Sequence, residues 1–318
     1  MNMKDPSYVF PSTGLPVRRD LTLAYALSFV VAALVGVASA AGLVLGPAGL
    51  YGAGAKAAAG ITPSTAGIVV PGFLAHDVCN LVVGPLIVLG SLWLARRGSL
   101  SGLLLWPGAL FYVLYTYALY LVGAPFSGLF LVYVALVALS AFTTIGLLAS
   151  IDGERVRQRL AGHVPARAVG GILVGLALLT IGQDGSGAVA TALAGGTAGE
   201  PLARHVWTVD LAVEVPAVLV GGVLLWRREA LGYVAGAGLL FQFGLTPTVL
   251  AVVAALQPFL TGSPVDVAAV VGLLLFSVVC FALLAVFIHA AGRPRGGEGP
   301  ARDRGGVRLA AGGAEEAR

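Results

Sequence analysis

Arg96-Arg97-Gly98-Ser99-Leu100-Ser101-Gly102, followed by Gly108, Leu110 and Phe111, recurs about 130 residues later. The second version reads Arg227-Arg228-Glu229-Ala230-Leu231-Gly232, followed by Gly238, Leu240 and Phe241. An apolar run with a Trp near its end, Trp93 or Trp226, precedes each Arg pair, and an Asp, Asp77 or Asp210, opens each run. One residue is missing from the second version, just before Gly232. So many features in one order, at one offset, indicate a duplicated half.

The composition places both halves in lipid. Of 318 residues, 58% are hydrophobic and 11% charged, with a mean hydropathy of +0.93. A soluble domain carries about a quarter charged residues, so this is a polytopic membrane composition. The net charge of +4 does not indicate nucleic acid, because the Arg residues sit at the ends of apolar runs and in the tails. Only Lys4 and Lys56 are lysines and neither lies in an apolar run, which excludes a Schiff base within the membrane. Cys79 and Cys280 read as small core residues rather than a disulfide or metal pair. No phosphate-binding Gly-rich motif, ATPase signature or soluble domain is present to host an enzyme.

Residues 1–20 form a polar tail ending in Arg18-Arg19. The first span covers 21–46. Ala38-Ser39-Ala40 resembles a signal-peptidase site, but the apolar run continues for roughly 25 residues, which is span length. Residues 47–70 form an outer loop. Spans follow at 74–95, 99–121 and 129–151. Residues 152–167, with Arg155, Arg157, Arg159 and Arg167, form an amphipathic linker. A short fifth span, 168–182, precedes a second Gly/Ala-rich outer loop, 183–204. Spans at 206–226, 230–256 and 265–290 complete the set, and 292–318 is a Gly-rich, charged tail expected to be disordered. The expected fold is all-α with eight transmembrane helices. The Arg clusters fall on one side of it, which makes both termini cytoplasmic. Four spans per half make the repeats, 21–151 and 168–291, parallel and related by an axis along the membrane normal. The expected location is the cell membrane.

A polar group in hydrocarbon costs several kcal/mol unless paired, so an intramembrane carboxylate is a functional candidate. Glu214 stands roughly 18 Å from the Arg-rich end of its span at the α-helical rise. Asp210 shares its face one turn away, and Gln242 lies at similar depth on the next helix. The first half offers Asp77 and Asn80 on one face, with Tyr112 in the place of Gln242. Face-to-face packing of the spans lets these six residues line one cavity. Asp77 and Asp210 also suit helix N-termini. His76 and His205, at the outer ends of their spans, are candidate metal or haem ligands together with Glu214, although the spacing fits no zinc motif. Pro216 withdraws a donor from the carbonyl of Ala212 beside Glu214.

Three functions follow. The first is a small secondary carrier, or a solute- or ion-binding protein, with its site between the halves and a small solute or cation as ligand. The second is an assembly subunit whose polar residues only join helices. The third is a membrane-embedded metal or haem redox protein.

Overall fold

The computed structural model describes residues 14–46, 63–195, 201–262 and 264–292. The helices are α1 (Thr22–Leu45), α2 (Pro63–Arg96), α3 (Leu100–Gly123), α4 (Phe130–Ser150), α5 (Gly153–Leu160) and α6 (Ala166–Leu193). They continue as α7 (Pro201–Val209), a π-helical turn (Asp210–Glu214), α8 (Val215–Trp226), α9 (Ala230–Thr261) and α10 (Val267–Gly292). With α7, the π turn and α8 counted as one span, eight helices among the described residues are long and apolar enough to cross a membrane. Helices satisfy every backbone group internally, as hydrocarbon demands. Leu86, Phe142, Ile145, Leu179 and Val278 point away from the protein, which suits a multi-pass protein surrounded by lipid.

Helix α3 is the most enclosed span; Trp106, Leu110, Tyr112, Tyr117 and Tyr120 on it are buried. It packs along α9, and the two approach backbone to backbone where Gly108 meets Gly238. A Cβ on Gly238 would stand 3.0 Å from the Gly108 nitrogen. Helix α1 packs on α2 as α6 packs on α8, and α3 on α4 as α9 on α10.

The α2–α3 and α8–α9 turns are the same turn. Arg97 donates to Trp93 O, Gly98 to Ala95 O and Ser99 to Leu94 O. At one constant offset, Arg227 donates to Val223 O, Arg228 to Leu225 O and Glu229 to Leu224 O. Gly102 lies against the backbone of Leu94 and Ala95, as Gly232 lies against Leu224 and Leu225. The turns therefore superpose without a gap, pairing Arg97 with Arg227 and Gly98 with Arg228. The alignment that matches both Arg doublets and deletes a residue is one position out of register there. Gly98 takes φ +80°, and Arg228 holds the same left-handed conformation at φ +62°, uncommon for a residue with a Cβ.

The Arg-rich ends of the helices meet. Arg18 N–H donates to Ser150 O, Asp152 N–H to Pro16 O, and the Arg18 guanidinium to Asp152 at 3.1 Å. Burial pushes the Asp152 carboxyl up, but the Arg18 bond, the Arg155 amide and both guanidiniums outweigh it and hold the group below the usual range. Gly153 of α5 abuts Ala230 at the start of α9, and Arg159 reaches Ala291 O at the end of α10. Between residues 152 and 167, Gly153–Leu160 form the short helix α5, which buries Val156 and Leu160.

Four boundaries differ from expectation. Helix α2 begins at Pro63, inside the expected first outer loop. Helix α6 does not stop near 182 but runs to Leu193, through the stretch expected as the second loop. The sixth span begins at Pro201 and the seventh runs on to Thr261. Glycine and alanine stretches read as loop in a soluble chain, whereas lipid leaves the backbone no alternative to its own hydrogen bonds. Residues 1–13, most of the first outer loop and the tail beyond 292 lie outside the described residues.

Candidate functional site

The sixth span changes its winding where the acids sit. Pro216 has no N–H to give the Ala212 carbonyl, and its ring crowds that carbonyl. The chain absorbs this with one wide turn, in which the Val215 N–H reaches back to Asp210 O. A single π turn inside an α-helix is frequent at functional sites. Here it brings both Asp210 and Glu214 to the buried side.

Gln242 Nε2 on α9 donates to Glu214 Oε1 and also reaches Thr246 Oγ1 at 3.1 Å. The Tyr115 hydroxyl on α3 donates to Asp210 Oδ1 at 2.7 Å. Asp184, on the part of α6 expected to be loop, lines the same cleft as Asp210 and Glu214. Asp184, Asp210 and Glu214 are 6%, 8% and 7% exposed. An ionised carboxylate only accepts hydrogen bonds, so neither acid can donate to the other without holding a proton. Among the described residues, Asp184 Oδ2 and Gln242 Oε1 are buried acceptors with no donor. All three acids line a cleft of about 280 Å³, walled by Phe243, Leu250 and Phe276.

The first-half candidates form a separate set. The Tyr120 hydroxyl donates to Asp77 Oδ1 at 2.9 Å, and that of Tyr112 to Asn80 Oδ1 at 2.8 Å. Tyr117, Tyr120 and Tyr133 pack ring on ring around them, with centroids 5.3 to 5.9 Å apart. Tyr117 also bonds Ser39 on α1. Aromatic side chains thus fill the first half where the second half has a cleft. The six candidates divide into two groups, and the cleft reaches Asp210 and Glu214 but not Asp77, Asn80 or Tyr112.

His76 and His205 share a cavity of about 130 Å³ between α2, α3, α7 and α9. Glu214 does not line it, nor does any other carboxylate. Among the described residues no group of three His, Cys, Asp or Glu side chains is placed to hold a metal ion. Sequence reasoning missed Asp184, Tyr115 and Thr246. Asp184 was hidden by the loop reading of its segment. Tyr115 sat within a row of tyrosines suited to an aromatic belt, and the sequence does not say which of them faces Asp210.

Searched against protein-family models, curated proteins and solved structures, the chain matches none.

Proposed function

We propose that this chain is a small secondary carrier, or a solute- or ion-binding protein of the cell membrane, and that its working site is the carboxylate cleft of the second half. One observation carries the reading. Three acids are buried together within apolar spans, while the ion pairs found among the described residues all lie at the Arg-rich end, between Arg18, Arg155 or Arg157 and Asp152 or Glu154. Buried carboxylates without a cationic partner must hold protons or an external cation, since an unpaired charge in such a place is too costly. Glu214 is the coupling carboxylate. The Asp184–Asp210 pair holds a shared proton that an arriving cation displaces, and Tyr115 and Gln242 fix the geometry.

The halves are read as parallel repeats. The coincident turns support this, as does the meeting of Gly108 with Gly238, equivalent positions that touch across the middle of the bundle. One extra residue in the π turn also makes His76 and His205 equivalent. Both termini are cytoplasmic by the Arg bias. The assembly reading has its own support, because the Glu214–Gln242 and Asp77–Tyr120 bonds join different helices.

A thermal-stability screen of purified protein against sodium, potassium, magnesium and small ammonium salts separates the two. A ligand of the native state stabilises as the logarithm of its concentration over its dissociation constant. At least one cation raises the melting temperature of the wild type in this way, and Glu214→Gln melts near the wild type but loses the response. A panel without any response, or a response unchanged in Glu214→Gln, refutes the carrier reading.

A further inference from the structure

We infer that the cleft takes a small organic cation, an ammonium group on an apolar body, and admits it sideways between α6 and α10. The inference rests on the reading of the cleft as a cation site and adds the ligand class and the route.

The route follows from a difference between the halves. Helix α1 packs against α4, closing the first half along that side, but among the described residues α6 and α10 make no comparable contact. On α10 the side chains of Val267, Val271, Leu274 and Leu275 are exposed, and burial begins only at Ser277. That end of α10 therefore turns these side chains outward, while Phe276 packs on Phe243 of α9. The cleft opens between α6 and α10, with Thr180 and Asp184 of α6 on one side and Gly272, Leu273 and Phe276 of α10 on the other.

The ligand class follows from the walls and the floor. An oxygen cage for a divalent metal ion needs six to eight donors at about 2.3–2.6 Å, or about six at 2.0–2.1 Å. The acids here do not converge in that way among the described residues. They line the cleft together with apolar and aromatic side chains, which suits a cation carried on an apolar body. Asp184 Oδ2 is an unpartnered acceptor on a side chain 6% exposed, lining the cleft. An ammonium group supplies the N–H donor that oxygen lacks and replaces the proton shared with Asp210. Phe243 and Phe276, with ring centroids 5.9 Å apart, form an aromatic wall suited to an apolar body and, through their faces, to the cation itself. A volume of about 280 Å³ lies at the small end of ligand pockets, which limits the body to about one ring with a short chain.

The test uses phenethylammonium, its neutral counterpart 2-phenylethanol, and sodium, with full-length protein in detergent and the melting temperature as readout. Phenethylammonium stabilises the wild type in proportion to the logarithm of its concentration, and 2-phenylethanol does not. Asp184→Asn and Gly272→Phe each weaken the phenethylammonium response at least tenfold. A Cβ at Gly272 meets open space, so Gly272→Phe narrows the mouth without disturbing the fold, and its unliganded melting temperature matches the wild type. If it does not, Gly272→Leu takes its place. Stabilisation by sodium alone overturns the ligand class and leaves the cation site standing. Equal responses to phenethylammonium and 2-phenylethanol show an apolar pocket and overturn the class too. A response indifferent to both Gly272 variants shows that the ligand does not occupy the mouth between α6 and α10 and overturns the lateral placement. No response to sodium or to phenethylammonium overturns the inference, and a blank across the wider cation panel overturns the carrier reading with it.

Discussion

Gly108→Leu lowers the stability of the bundle by about 3 kcal/mol or more, at the upper end of overpacking costs, while Gly272→Leu is near neutral. Gly108 lies against the backbone of Gly238, so a side chain there has no rotamer that avoids α9. Backbone cannot yield as a flexible side chain tip does, and close approach of small residues is what joins helices in lipid. The two helices must separate, which opens the contact between the halves and the packing of Trp106 and Leu110 beside it. Gly238→Ala, whose Cβ has 3.0 Å to its nearest neighbour, costs less, about 1–2 kcal/mol within the usual range for overpacking. Unfolding in graded detergent mixtures checks the order. Near-equal stability of Gly108→Leu and wild type would show that the α3–α9 contact does not hold the halves together.

Glu214→Leu destabilises by about 1–3 kcal/mol, the cost of leaving a buried polar group without its partner. Gln242 is fully buried, and its Nε2 would keep only Thr246. Glu214→Gln keeps the shape and an acceptor for Gln242, so its loss stays near the average for interhelical hydrogen bonds in membranes, about 0.6 kcal/mol. The two substitutions part in function. Both remove the carboxylate and both abolish the cation response, although only one harms the fold. If Glu214→Gln retains the full response, Glu214 is a helix contact and not the group that binds the cation.

The number of spans was legible because hydropathy and the Arg clusters punctuate every helix but one. The exception, the α6 end around Asp184, was lost because Gly182, Gly185 and Gly187 lower hydropathy and suggest a loop. Gly187 instead makes room for the Trp207 ring of α7, whose side chain a Cβ there would meet. Glu214 and Gln242 were legible as residues of similar depth on consecutive antiparallel helices, and their side chains meet. Depth does not report direction around the helix axis. For that reason Asp77, Asn80 and Tyr112 were grouped with them, although they do not line the cleft that holds Asp210 and Glu214. The effect of Pro216 on the Ala212 carbonyl was legible; the resulting π turn, which depends on what the displaced backbone can bond to, was not. Pro85 also lies inside its helix without such a turn, and we have no physical account of that difference.

The most direct test of the exchange site is a proton count. Purified protein in weakly buffered detergent, with a pH indicator, is mixed with whichever cation stabilises it. Two carboxyl groups sharing one proton give it up when a cation takes its place, so the wild type releases about one proton per bound cation, and the Asp184→Asn/Asp210→Asn double variant releases none. Binding by the wild type with no proton released, or equal release from the double variant, would contradict the account.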